Sequence, residues 1–226
     1  MIKTLYNIFQ RWSENGSVWI ISDTHFDDSD CKLMDSRWIS PEEHINILKK
    51  YVHKTDTLIV LGDVGNAEYF RDLNCYKVLI TGNHDAGASN YQRIKECVIT
   101  SHDLEFLKEL KAIGKVDFIE KKNDYYIGWK DNRLFDEVYD GPLVISNKII
   151  LSHEPLPNLP FFFNIHGHDH SGKQYRDSNH LNVASNVINY IPVSLSNIIT
   201  SGKLSKIDSI HRITIDKAAV NPIHKK

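Results

Sequence analysis

Cysteine is scarce in this chain of 226 residues. The three present, Cys31, Cys75 and Cys97, are odd in number, far apart and without a CxxC pair. That argues against a disulfide framework or a thiolate zinc knuckle and predicts reduced thiols. Long apolar runs are also missing. No stretch approaches the roughly 20 residues of a membrane span, and Met1–Gly16 mixes Lys3, Asn7, Gln10, Arg11 and Glu14 among its apolar residues, unlike the core of a signal peptide. A cytoplasmic protein without membrane partners is expected. An excess of one charge is lacking too: 27 Lys and Arg stand against 29 Asp and Glu, a formal net charge of −2. No global pull toward a nucleic-acid polymer or an anionic surface results. Repeats, low-complexity tracts and clear linkers are absent, and the length suits one large domain, 1–226, with a sizeable core.

What is present is a series of short apolar runs, each ending in a polar block. Val18–Ser22, Thr57–Leu61, Lys77–Thr81, Ile149–Leu151 and Phe161–Ile165 read as buried strands. Between the first two, Ser40 and Glu43 form a capping-box pair, Pro41 sits at the first helical position, and Ile45, Leu48 and Val52 share one face of a helix. A second helical stretch spans Ala67–Leu73 and a third Leu104–Leu110. The first 85 residues therefore look like repeated βα units with a partly parallel sheet. From Phe135 onward, shorter runs broken by Asp140, Gly141, Pro142 and Ser146, Asn147 predict an antiparallel meander.

Six of the twelve histidines fall in the polar blocks: Asp23/His25, Gly62/Asp63, Gly82/Asn83/His84/Asp85, Ser152/His153/Glu154 and His166/Gly167/His168/Asp169/His170. In open α/β sheets, ligands bind beyond the carboxyl ends of the strands, so these blocks converge although distant in sequence. Imidazole and carboxylate together suit divalent transition metals, and a pair of such ions about 4 Å apart hydrolyses phosphate esters. Singly each block is weak. Their joint placement points to one two-metal site.

The order of the blocks, DxH, GD, GNHD, a later lone His and GHxH, resembles the calcineurin-like metallophosphoesterase superfamily. A closer resemblance, to small bacterial and phage phosphoesterases, rests on Asp23, Thr24, His25, Phe26 and on Leu181, Asn182, Val183, and covers roughly Val18 to Thr200. The resemblance implies a four-layer αββα sandwich with mixed sheets. It implies that Asp23, His25 and His170 hold one metal, that Asn83, His153 and His168 hold the other, and that Asp63 bridges them. Two divalent ions are implied, manganese first, with Fe²⁺, Zn²⁺ or Ni²⁺ accepted by the same donors. A water shared by the ions would become hydroxide and attack phosphorus in line. His84 would then stabilise the transition state or protonate the leaving oxygen, with Asp85 orienting its ring.

If the last block is extended, His166, His168 and His170 share one side of it, which gives His166 a place behind the metals or against substrate. Asn182 carries a similar expectation, whereas Asp169 is read as structural. The remaining histidines, His44, His53, His102, His180, His211 and His224, are read as surface or packing residues.

Two segments depart from the pattern: 97–132, read as an inserted surface helix and hairpin, and the Lys-rich extension 203–226. Within the insert, Lys121, Lys122, Lys130 and Arg133 bracket Tyr125, Tyr126 and Trp129, a combination that either stacks a nucleobase or buries an aromatic face. The expected activity is a phosphodiesterase on a nucleotide or small diester, with a phosphomonoesterase as the alternative and a metal-free binding scaffold as the alternative from another class. Val64, Gly65 and Asn66 after the GD block replace the Asp-Arg pair of Ser/Thr protein phosphatases, which disfavours that substrate class. The HxHxDH motif of metallo-β-lactamase-like hydrolases is also not matched, because one residue is missing between His168 and Asp169.

Overall fold

A computed structural model of the chain describes residues 11–85, 91, 95–157 and 160–208. It is an α/β fold with mixed sheets. In the first sheet β1 (Val18–Ile21), β2 (Thr57–Val60), β3 (Tyr76–Ile80) and β7 (Glu137–Tyr139) run parallel, and β12 (Val193–Ser194) lies antiparallel beside β1. The second sheet holds β9 (Ile149–Leu151), β10 (Phe163–His166) and β11 (His180–Asn182) in parallel, with β8 (Leu143–Val144) antiparallel to β9. Every residue of β2, β9 and β10 is buried, as in strands covered on both faces. Side chains from both sheets, including Ile20, Ile59 and Leu79 with Leu151, Phe163 and Ile165, form one apolar cluster.

The expected antiparallel meander holds only for the β8–β9 hairpin around Ser146 and Asn147. β7 joins β3 in parallel, and β9, β10 and β11 are parallel to one another. The connections 152–162 and 167–179 are long enough for crossovers, whereas a hairpin needs only about two residues. Neither connection contains a helix among the described residues.

The first helix beyond the site loop is short, α1 (Cys31–Met34), and the next, α2 (Pro41–Tyr51), has the anticipated start. Ser40 accepts a hydrogen bond from the Glu43 N–H at 3.2 Å, Pro41 occupies the first turn, and Glu42 and Glu43 precede Lys49 and Lys50 in the favourable sense of the helix dipole. Ile45 and Leu48 are fully buried in the main core, worth roughly 1.5–3 kcal/mol each relative to exposure. A 3₁₀ helix covers Ala67–Asp72. At the far end α4 (Leu195–Thr200) packs on β1, and a 3₁₀ turn at Lys203–Lys206 leads to Ile207, which is buried in the same core. The rest of the expected extension, 209–226, lies outside the described residues, as do His211 and His224.

The segment read as an insert adds a third strand to the expected helix and hairpin. β4 (Lys95–Ser101) and β5 (Phe118–Lys122) flank β6 (Tyr125–Asp131) in a three-stranded antiparallel sheet, and α3 (Leu104–Ala112) packs on that sheet. Its first strand begins at Lys95, which pairs with Asp131. Leu107, Val116 and Ile127 are buried there and belong to neither apolar cluster of the main body. Lys130 and Arg133 are spent on Asp117 and Asp131, and the Trp129 indole N–H donates to Glu120 at 3.0 Å. Those pairings favour the structural reading of the aromatic stretch over nucleobase stacking.

Candidate metal centre

The two sheets meet at the carboxyl ends of their strands. Ser22, just past β1, bridges in parallel to Ala184, just past β11, and its backbone is held by Val183 and Ser185. Loops after β1, β2, β3, β9 and β10 therefore emerge into one space, which is why the polar blocks follow apolar runs.

Two groups of ligand atoms form there. Asp23, His25 and His170 make one and Asp63, His153 and His168 the other, with the donor atoms of each group within 4.8 Å of one another. In the first, Asp23 Oδ1 lies 4.0 Å from His25 Nε2 and 3.5 Å from His170 Nε2. In the second, His153 Nε2 lies 3.3 Å from Asp63 Oδ2, 3.1 Å from His168 Nδ1 and 2.8 Å from Asn83 Oδ1. Neighbouring ligands at about 2.1 Å from an ion stand roughly 3 Å apart, so the second group is already near coordination spacing. Asp63 Oδ2 is also 3.6 Å from His25 Nε2. One carboxylate oxygen thus faces both groups.

The donors are oriented by their other atoms. His153 Nδ1 meets the Leu61 carbonyl at 2.8 Å, which directs the Nε2 lone pair into the site. His25 Nδ1 faces Asp28 Oδ2 at 3.0 Å and His170 Nδ1 faces Asn186 Oδ1 at 3.2 Å, with the same result. Asp63 Oδ1 accepts from the His84 N–H and Asp23 Oδ2 from the His168 N–H, both at 2.9 Å. Asp28 and Asn186 are residues that sequence reasoning missed. Asp28 lies three residues past His25 but outside the motif, and Asn186 approaches only through the fold.

Two polar atoms at the centre have no hydrogen-bond partner among the described residues: Asp23 Oδ1 and His25 Nε2, both buried. A buried unpaired polar group costs about 1–3 kcal/mol, and a cation between these two atoms removes that cost. The donor set, imidazoles with carboxylates and one amide, fits divalent metals. Backbone strain points the same way. Asp23, His25, Asp63 and His168 adopt left-handed φ of 56°, 40°, 52° and 67°, each at a cost of about 1–3 kcal/mol. Close approach also restricts side chains: a Cβ on Gly82 would collide with Asp63 Oδ1, and one on Gly167 with Ser22 Oγ and Asp23 Oδ2.

The protons of the metal-free site are arranged accordingly. Burial holds the Asp23 carboxyl above its ordinary range despite the pull of His153 and His170. Burial pushes Asp63 up as well, but contact with His153, the His84 N–H and the charge of His25 outweigh it, and the net shift is downward. For His153 the burial penalty is overcome by Asp63 and Asp23, and the imidazole rises to about 9. Positive charge is therefore favoured where two carboxylates converge.

The other expected residues divide. His84 is exposed, with its ring 5.6 Å from that of His25. Asp85 does not take the expected role of orienting His84. Its carboxylate accepts from the N–H groups of Asp63, Val64 and Gly82 at 2.8–3.0 Å, because the tight bend after β3 turns it back onto the Gly62 loop. Asp85 locks two ligand loops together.

His166 belongs to neither ligand group. The run is extended only as far as His166, and the left-handed His168 breaks the period of two, so the three histidines do not share a side. His166 is buried, with Nδ1 on the Gly167 carbonyl and its ring edge-on to His180. Asn182 braces the ligand loop, donating to the Asp169 carbonyl at 2.7 Å and accepting from Ala184 N–H. Asp169 caps the turn after it through Ser171. His44 is a packing residue, 1% exposed between Phe26 and Tyr190, and burial drops its pKa to about 3.

Comparison with protein-family models and with curated proteins returns no match. Among solved structures, the chain is similar to the crystal structure of a protein of unknown function from Aquifex aeolicus, at 23% identity and a TM-score of 0.50. The likeness covers 81% of this chain and 98% of the other. It supports the α/β fold. No helix among the described residues is long and apolar enough to cross a membrane.

Proposed function

We propose that this chain is a dinuclear-metal phosphoester hydrolase of the calcineurin-like metallophosphoesterase kind, acting as a phosphodiesterase on a nucleotide or small diester. The observation that carries the reading is the position of Asp63 Oδ2, 3.6 Å from His25 Nε2 and 3.3 Å from His153 Nε2, where one carboxylate serves two ligand groups. On this reading the two sheets are the centre of an αββα sandwich whose outer layer on the second sheet is thinned to loops.

Asp23, His25 and His170 would hold one ion, Asn83, His153 and His168 the other, and Asp63 both, with manganese the first choice. The ion pair, when bound, supplies an acidified water and charge that offsets the phosphoryl oxygens. The chain supplies the rest. Asp63 fixes the spacing because the His84 N–H holds its second oxygen. His84, exposed beside His25, would give a ring proton to the departing ester oxygen. Asp27 and Asp28 stand next to His25 and penalise added negative charge, which favours a singly charged diester over a doubly charged monoester.

The test is a turnover screen of manganese-loaded protein against bis(p-nitrophenyl) phosphate and p-nitrophenyl phosphate. Faster diester cleavage is expected. Preference for the monoester would reverse the substrate assignment, and a loaded but inactive protein would leave the binding-scaffold alternative.

A further inference from the structure

One short segment lies against the first ligand group. From Cys31 to Trp38 the chain makes helix α1 and a turn, in which the Asp35 N–H donates to the Cys31 carbonyl at 2.9 Å and the Trp38 N–H to the Asp35 carbonyl at 3.0 Å. Both ends of it touch ligands. Cys31 Sγ donates to the His25 carbonyl at 3.4 Å, and the buried Trp38 ring stands 6.0 Å from that of His25 and 5.6 Å from that of His170. Those two histidines come from different sheets, one after β1 and the other after β10. Among the described residues, no other ring meets both.

The main core makes little use of this segment. Cys31, Trp38 and Tyr190 form a small apolar cluster apart from it, α1 has no side-chain N-cap, and Leu33 on α1 is 84% exposed. The ligands gain more. Asp28 and Asn186 each anchor one imidazole at Nδ1 alone, which leaves the ring free to tilt about the line from Cβ to that atom. Packing against a neighbouring ring removes that freedom: aromatic pairs with centroids 4.5–7 Å apart gain about 0.5–1.5 kcal/mol beyond buried area, and ligand geometry holds only where packing locks the rotamer. The two groups differ in how much they need this. In the first, Asp23 Oδ1 stands 4.0 Å from His25 Nε2 and 3.5 Å from His170 Nε2, wider than coordination spacing. In the second, His153 Nε2 already lies 2.8 Å from Asn83, 3.1 Å from His168 and 3.3 Å from Asp63. The ring contact there is between His153 and His168 themselves.

We propose that Trp38 is a positioning residue for the first ion alone: its ring holds His25 and His170, supplied by different sheets, in coordinating orientation, while the second ion is held without it. This role rests on the two-ion part of the hydrolase reading and not on the reaction.

Metal titration without any substrate tests it. Chelator-treated full-length protein is titrated with Mn²⁺ by calorimetry and with Co²⁺, whose visible absorption reports ligand geometry. Trp38→Leu should weaken one ion by about 10–100-fold, the range for partners that orient ligands, and shift its Co²⁺ bands while the other ion is unchanged. Trp38→Phe, which keeps a ring in place, should restore most of the loss. Trp38→Met, whose flexible side chain fills the space without a ring, gives the same measurement should Trp38→Leu not fold. Double variants assign the ion: in a His168→Ala background the remaining ion should respond to loss of the Trp38 ring, and in a His170→Ala background it should not. Equal weakening of both ions, weakening of neither, or no rescue by Trp38→Phe would overturn the positioning role. Two ions bound without hydrolysis of any ester would overturn the hydrolase reading and leave Trp38 standing. One ion per wild-type chain would overturn the two-ion reading, and the role of Trp38 would fall with it unless that ion weakens in Trp38→Leu.

Discussion

The strand ends that gather the histidines and the lobe Lys95–Asp131 contain the same residue types, and they spend them in opposite ways. In the lobe, charges are satisfied locally. Asp103 caps α3 by accepting from Glu105 and Phe106 N–H, Asp117 takes Lys130 and the Asp131 N–H, and Arg133 lies on Asp131. At the strand ends, Asp23 Oδ1 and His25 Nε2 have no hydrogen-bond partner among the described residues, and four candidate ligands sit in left-handed backbone. A fold tolerates such costs where something else compensates them. Hence polar residues that are badly served, rather than polar residues as such, mark the place where chemistry is expected.

The largest expected break in that contrast comes from Asp63→Asn. Removing the shared charge should weaken metal binding by more than about 100-fold, beyond the 10–100-fold typical of outer partners, and remove most activity. Metal content after desalting checks it. His84→Ala should act differently, lowering turnover by about 10²-fold while the bound metal stays constant. Unchanged turnover in that variant would remove His84 from the reaction.

A third prediction concerns pH in chelator-treated protein. His153 is raised from 6.5 to about 9, so its contribution to stability is full below about pH 6.5 and is lost as pH climbs through about 9. His44 is lowered to about 3, so its contribution is present above about pH 6.5 and is lost as pH falls toward 3. Each slope is about 1.4 kcal/mol per pH unit within its window. Thermal melts should therefore show losses on both sides of pH 6.5, and metal affinity should increase as the pH approaches 9 because binding expels the His153 proton. A flat profile between pH 6.5 and 9 would contradict the assignment of His153.

The smallest effects sharpen the contrast itself. Asp28→Asn, which weakens the support of His25, should cost about tenfold in metal affinity, whereas Asp117→Asn in the lobe should leave metal binding unchanged. Paired calorimetric titrations compare them, and equal effects would erase the distinction between the two regions.

The candidate ligand residues were legible in sequence because buried strands are rich in apolar residues, and whatever follows them stands at a sheet end. Ser40 and Pro41 announced α2 through local chemistry that needs no tertiary context. The second half was not legible in the same way. Ser146 and Asn147 do close the β8–β9 hairpin, but short runs such as Ile149–Leu151 do not say whether the next run returns beside them or crosses over. Asp85 was assigned to His84 by adjacency, but a tight bend sends neighbouring side chains in different directions, and its partners lie in the loop of Asp63. His166 looked equivalent to His168 and His170 only while the run was taken as extended. Asn186 contacts His170 across the junction of two sheets, a distance no local pattern encodes.

On the proposed reading, the Asp63 carboxylate holds two ions together. Two-metal sites of this kind space their ions about 3.5–4 Å apart, close enough for magnetic coupling. Electron paramagnetic resonance of manganese-loaded protein tests this most directly. Two ions per chain are expected, with an exchange-coupled spectrum that is lost in Asp63→Asn. A single ion per chain, or full occupancy with the spectrum of isolated Mn²⁺, would contradict it.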